Sequence, residues 1–138
     1  MPAVKTVAKP LIALVEDEAI LSELIQEELE RRDFTVCVAA NGKEGWELIQ
    51  KEKPDLVLLD LLMPQMSGYD VLTHLRAHVA LKGIPVIVIS NSGQAGDLNR
   101  AFACGADDVL IKADFNPDQV VNKVVDLLKR KKEFSNGL

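Results

Sequence analysis

Short, unbroken apolar runs alternate along this chain with longer stretches in which apolar residues recur every three or four positions. Leu11-Ile12-Ala13-Leu14-Val15 is the first such run. It is too short for a core helix and too continuous for a half-exposed strand, the pattern of a strand buried on both faces. Residues 19–32 follow, with Ile20, Leu21, Leu24, Ile25 and Leu29 on one helical face and Glu23, Glu27, Glu28, Glu30 and Arg31 opposite. That spacing predicts an amphipathic helix packed on a sheet. The alternation continues with strands over 34–39, 55–60, 86–89 and 109–111. Between them, a helix opens at Asn41-Gly42 and runs through Ile49 before Pro54 stops it, and another opens at Ser67-Gly68 with Val71, Leu72 and Leu75 inward. A short helix over 97–104 is closed by Gly105, and Asn116 caps a last helix with Pro117 at its first position and Val120, Val121, Val124, Val125, Leu127 and Leu128 inward. Five strands, each followed by a helix, predict a parallel sheet covered on both faces.

In a sheet of this kind ligands bind beyond the carboxyl ends of the strands, where the strand order reverses. The polar residues there are Glu16 and Asp17 after the first strand, Asp60 ending the third, Ser90 and Asn91 ending the fourth, and Lys112 ending the fifth. The second strand ends in Ala39-Ala40 and brings no charge. Taken singly, each has a plain structural role. Glu16, Asp17 and Glu18 suit a helix amino terminus, Asp60 and Ser90 suit turns, and Lys112 can reach solvent. Gathered in one crevice they read as a site, because three carboxylates raise one another's pKa unless a divalent cation and an ammonium offset them. Oxygen ligands of this type suit Mg²⁺. A carboxylate beside that ion can attack a phosphoryl group to give an acyl phosphate, with Lys112 and Ser90 holding the phosphoryl oxygens.

Composition narrows the setting. The 138 residues, 48% hydrophobic and 27% charged, fit one soluble domain with one core. A net charge of −5, with Lys129-Arg130-Lys131-Lys132 as the one basic cluster, argues against direct contact with nucleic acid. No stretch reaches the roughly 18 to 20 apolar residues of a membrane span and the first residues lack a secretory pattern, so a cytoplasmic protein is expected. Cys37 and Cys104 form no CxxC and are expected as buried, reduced thiols. Trp46 is expected to be buried or half-buried, His74 and His78 to be solvated, and Ser92-Gly93-Gln94-Ala95-Gly96 to be a flexible loop that cradles no nucleotide.

At Val15-Glu16-Asp17-Glu18, at the run from Asp55 through Asp60 to Met63-Pro64 with Ser67-Gly68, at Pro85-Val86-Ile87-Val88-Ile89-Ser90 and at Gly105-Ala106-Asp107-Asp108 leading to Lys112, the chain resembles a known family. These are the receiver domains of two-component response regulators, here in stand-alone, single-domain form over residues 10–132, with 1–9 and 133–138 as tails. The resemblance implies a flavodoxin-like, doubly wound α/β fold, a five-stranded parallel sheet of order 2-1-3-4-5 with five helices. It implies that Asp60 takes phosphate from a histidine kinase or a histidine phosphotransfer protein. Glu16, Asp17, Asp60 and the backbone carbonyl of Leu62 would hold Mg²⁺, Ser90 would be the switch hydroxyl and Lys112 the site lysine. It further implies an autocatalytic phosphoacceptor with self-dephosphorylation rather than a turnover enzyme, a downstream protein partner, no membrane contact, and a monomer or weak phosphorylation-dependent dimer.

The chain departs from the family pattern in places. Ala113 follows Lys112 where proline is usual, and Phe115 lies one residue late, so a trans path or a remodelled loop is expected there. Asn91 replaces a small residue beside the switch hydroxyl, which implies slower phosphotransfer or dephosphorylation. Val109 replaces an aromatic, so no ring couples to the hydroxyl. Two other readings follow. One is a pseudo-receiver that binds proteins independently of phosphorylation. The other, a haloacid-dehalogenase-like phosphatase, wants an acid two residues after Asp60, where Leu62 stands. With too little chain after residue 132 for an output domain, the expectation is a shuttle or protein-binding regulator, or a piece of something larger.

Overall fold

The apolar runs pair side by side as their pattern predicts. The computed structural model describes residues 8–137. Its strands are β1 (Leu11–Val15), β2 (Thr35–Ala39), β3 (Leu56–Asp60), β4 (Val86–Ser90) and β5 (Asp108–Ile111). All pair in parallel, in the order β2-β1-β3-β4-β5. The helices are α1 (Ala19–Arg31), α2 (Gly42–Glu52), α3 (Gly68–Ala77), α4 (Ala95–Ala103) and α5 (Pro117–Gly137). A single 3₁₀ turn, Lys112–Asp114, joins β5 to α5. Of the expected amino-terminal tail, residues 1–7 lie outside the described residues, and at the other end α5 continues through 133–137.

Although the strand residues are apolar without interruption, alternate side chains enter two separate cores. Ala13, Val15, Val57, Leu59, Val86 and Val88 pack with α2, α3 and α4, while Ile12, Leu14, Leu58, Ile87 and Ile89 pack with α1 and α5. This is the period-two geometry of a strand covered on both sides. The helix starts are fixed by side chains: Asn41 accepts from Glu44 N–H at 2.8 Å, and Ser67 from Asp70 N–H at 3.2 Å. Asn116 and Gln119 cap α5 reciprocally, each side-chain oxygen accepting from the other's backbone N–H at 3.0 and 2.9 Å.

Two expectations are corrected. On α1 the buried line is Ser22, Ile25 and Leu29, whereas Ile20 is 76% and Leu24 47% exposed. The helix is aimed by its contacts with α5 and β2, which turn the Ile20–Leu24 flank outward. The two cysteines are free but only half-buried, Cys37 because β2 is an edge strand. At the departure after β5 the backbone is trans throughout and winds into the 3₁₀ turn, as expected without a proline at position 113.

Candidate functional site

Reversal of strand order between β1 and β3 opens a crevice at their carboxyl ends, because α1 leaves β1 toward one face of the sheet while α2 and α3 cover the other. Strand β1 delivers Glu16 and Asp17 there, and β3 delivers Asp60. The loop after β3 is drawn tight by Gly68 N–H donating to the Leu61 carbonyl at 2.8 Å. Only glycine fits at that helix start: a Cβ on Gly68 would lie 2.1 Å from the carbonyl oxygen of Asp60.

Two of the three acids are buried. Asp60 is 3% and Glu16 2% exposed, while Asp17 faces solvent. One carboxylate oxygen from each of the three lies within 4.8 Å of the others. Lys112 reaches in from the start of the 3₁₀ turn after β5, its Nζ 2.6 Å from Glu16 Oε1, 3.4 Å from Asp60 Oδ2 and 3.4 Å from Glu18 Oε1. Burial, and then the charge of Glu16, push the Asp60 carboxyl up to about 8 against the opposing pull of Lys112. Burial also raises Glu16, although Lys112 pulls it down. For Lys112 burial works against the charged form, but the bond to Glu16 and the charges of Asp60 and Glu16 outweigh it and raise its pKa. Glu16 Oε2 is buried and has no hydrogen-bond partner.

This last atom bears on the metal. A buried carboxylate oxygen without a partner is costly. The Glu16 side chain that carries it groups with two further carboxylates, an all-oxygen donor set of the kind a hard divalent cation takes. The residues therefore fit Mg²⁺.

The structure brings Glu16, Asp17, Asp60 and Lys112 together at the strand ends, and Glu18 joins them. Its side chain makes no cap bond at the start of α1 and instead faces Lys112. Leu62 sits two residues beyond β3, its side chain exposed. Ser90 ends β4 buried, yet its hydroxyl is turned onto its own loop, accepting from Ser92 N–H at 3.0 Å and donating to the Ser92 carbonyl at 3.2 Å. Nor is that loop the unstructured segment expected. Ser92 Oγ donates to Asp97 Oδ2 at 2.7 Å and accepts from Gln94 N–H at 3.2 Å. Tyr69 Oη donates to the Asp97 carbonyl at 3.4 Å, and the Arg100 guanidinium lies 3.8 Å above the Tyr69 ring. A serine two residues before Gln94 and five before Asp97, at a helix start, was the available signal. Asn91 is exposed, and Val109 packs against the core on the α2–α4 side. Trp46 is half-buried and stacks on His74 with ring centres 5.6 Å apart.

With this geometry established, similarity to known proteins is extensive. The model of the response regulator receiver domain matches residues 12–125. Response regulator Rre1 of Synechocystis is 36% identical over 132 residues, 94% of this chain and 57% of Rre1. The transcriptional regulatory protein SrrA of Staphylococcus aureus is 38% identical over 119 residues, 86% of this chain and 48% of SrrA. The chain thus spans about half the length of these curated relatives. Among solved structures, the receiver domain of the Francisella response regulator 1452 superposes with a TM-score of 0.82 at 28% identity, covering 89% of this chain and 99% of that one. A CheY-like receiver domain protein from Methanospirillum hungatei gives 0.82 at 25% identity, covering 91% and 98%.

Proposed function

The chain belongs to the response regulator receiver family, and on that premise we propose that Asp60 is a phosphoacceptor whose phosphorylation switches protein contacts. The observation that carries this reading is the buried Asp60 carboxylate, 3.4 Å from the Lys112 ammonium and grouped with Glu16 and Asp17. In the proposed reaction an Asp60 oxygen attacks the phosphorus of a phosphohistidine on a kinase or phosphotransfer protein. The O–P bond forms, the P–N bond breaks, and its electron pair stays on the imidazole. Asp60 must be ionised to attack, and burial opposes that. Mg²⁺ held by Glu16, Asp17, Asp60 and the Leu62 carbonyl would supply the positive charge that keeps Asp60 ionised and offsets charge on the phosphoryl oxygens. Lys112 then pairs with one phosphoryl oxygen and Ser90 donates a hydrogen bond to another.

The protein accepts and loses a phosphoryl group without turning over a separate substrate, and it works in the cytoplasm. No helix among the described residues is long and apolar enough to cross a membrane. The output surface is formed by α4, β5 and α5. With Val109 in place of a ring, the signal passes through the loop after β4 and the 3₁₀ turn after β5. Moving a resting balance of about 1:99 to 99:1 takes about 5.5 kcal/mol, more than one hydrogen bond supplies, so the shift is partial. A complete acid pocket weighs against a phosphorylation-independent scaffold. Phosphotransfer from a panel of purified histidine kinases tests the reading. Label should move to the wild type and not to Asp60→Asn, and failure of every kinase and of acetyl phosphate to label the wild type would overturn it.

A further inference from the structure

The Ser90 hydroxyl carries one proton, and in this structure that proton is committed to the Ser92 carbonyl at 3.2 Å. The same proton is the one Ser90 would donate to a phosphoryl group on Asp60. The two bonds exclude each other, so whatever holds the turn at Ser92 opposes engagement. Ser92 is held through its own side chain, which spans the turn to Asp97 Oδ2 at 2.7 Å while receiving Gln94 N–H at 3.2 Å. Asp97 is in turn tied to α3, where the buried Tyr69 donates to its carbonyl and is overlaid by Arg100. Open space adjoins the backbone at Gly93 and at Gly96 in the first turn of α4, where an added Cβ would meet nothing within 4 Å. The turn at Ser92 is held by the hydrogen bonds of its own backbone and side chain.

We propose that Ser92 is a positioning residue that latches the Ser90 hydroxyl away from the phosphorylation site, with Asp97 as the keeper of the latch. The proposal rests on the receiver reading of Asp60 and Ser90. Deleting the Ser92 hydroxyl frees the turn, lowers the cost of releasing Ser90, and favours the phosphoryl-bound form. A latch worth one ordinary hydrogen bond corresponds to a change of about two- to tenfold in affinity.

Beryllofluoride with Mg²⁺, titrated into the full chain and followed by calorimetry, tests this. The expected result is binding about two- to tenfold tighter in Ser92→Ala than in the wild type. Asp97→Ala should give a similar gain, Ser92→Ala/Asp97→Ala no more than either single change, and Ser92→Thr an affinity near that of the wild type. In a Ser90→Ala background the Ser92 effect should vanish, which a merely structural role would not produce. Equal affinity in the wild type and Ser92→Ala, or a gain that persists without the Ser90 hydroxyl, would overturn the proposal. Absence of saturable binding by the wild type would instead overturn the receiver reading, and the latch with it.

Discussion

Lys112 Nζ lies 2.6 Å from Glu16 Oε1 but 3.4 Å from Asp60 Oδ2, so the site's one buried ammonium rests on a neighbouring acid rather than on the central carboxylate. Asp60 is consequently short of compensation, which is why burial and the Glu16 charge can hold it at about 8.

That shift has a sign in the stability of the fold. Asp60 has an ordinary value of 3.8 and a folded value of about 8. Between them the folded chain retains a proton that the unfolded chain has lost, so stability falls as pH rises through this window and levels off above it. Asp60→Asn removes the group. The variant should match the wild type near about pH 4 and exceed it by about 1 to 3 kcal/mol near about pH 8, with Mg²⁺ narrowing the gap. Urea denaturation at the two pH values measures this, and a difference independent of pH would contradict it.

Asp17 and Glu18 are adjacent in sequence but serve different partners. Asp17 belongs to the three-carboxylate group, and Glu18 faces Lys112. Asp17→Asn should weaken Mg²⁺ binding by at least about tenfold and Glu18→Gln by less than about threefold, as expected for a ligand against an outer charge. Calorimetric titration separates the two, and equal losses would contradict the assignment.

Gly68 holds the start of α3 against the end of β3, its missing Cβ being the space the Asp60 carbonyl occupies. Gly68→Ala should cost about 1 to 3 kcal/mol of stability through overpacking. Because the displaced backbone belongs to Asp60 itself, phosphorylation by a small donor should slow as well. Thermal denaturation and the labelling rate check the two effects, and a stable variant labelled at the normal rate would contradict the close approach.

The five parallel strands and the acid–lysine cluster are legible because both follow from where the apolar runs lie and end, whereas the order of the strands rests on the family resemblance. Asp60 and Lys112 close their runs in sequence and meet in space for that reason. The orientation of α1 was not legible. Periodicity locates an apolar stripe, but Ile20, Leu24, Ile25 and Leu29 span one wide enough that contacts with α5 and β2 decide which edge is buried. Acids favour a helix start, which is why the sequence alone points Glu18 there, whereas its side chain is drawn to a cation supplied by a residue far along the chain. The Ser90–Ser92–Asp97 chain is not legible because its glycines resemble a flexible linker, whereas its own hydrogen bonds and the Tyr69 contact tie the segment down.

The central claim is that Asp60 is the phosphoacceptor, and intact mass spectrometry after incubation with phosphoramidate or acetyl phosphate and Mg²⁺ tests it most directly. The wild type should gain the mass of a single phosphoryl group, the gain should require Mg²⁺, and Asp60→Asn should gain none. Equal labelling of the wild type and Asp60→Asn would contradict the account.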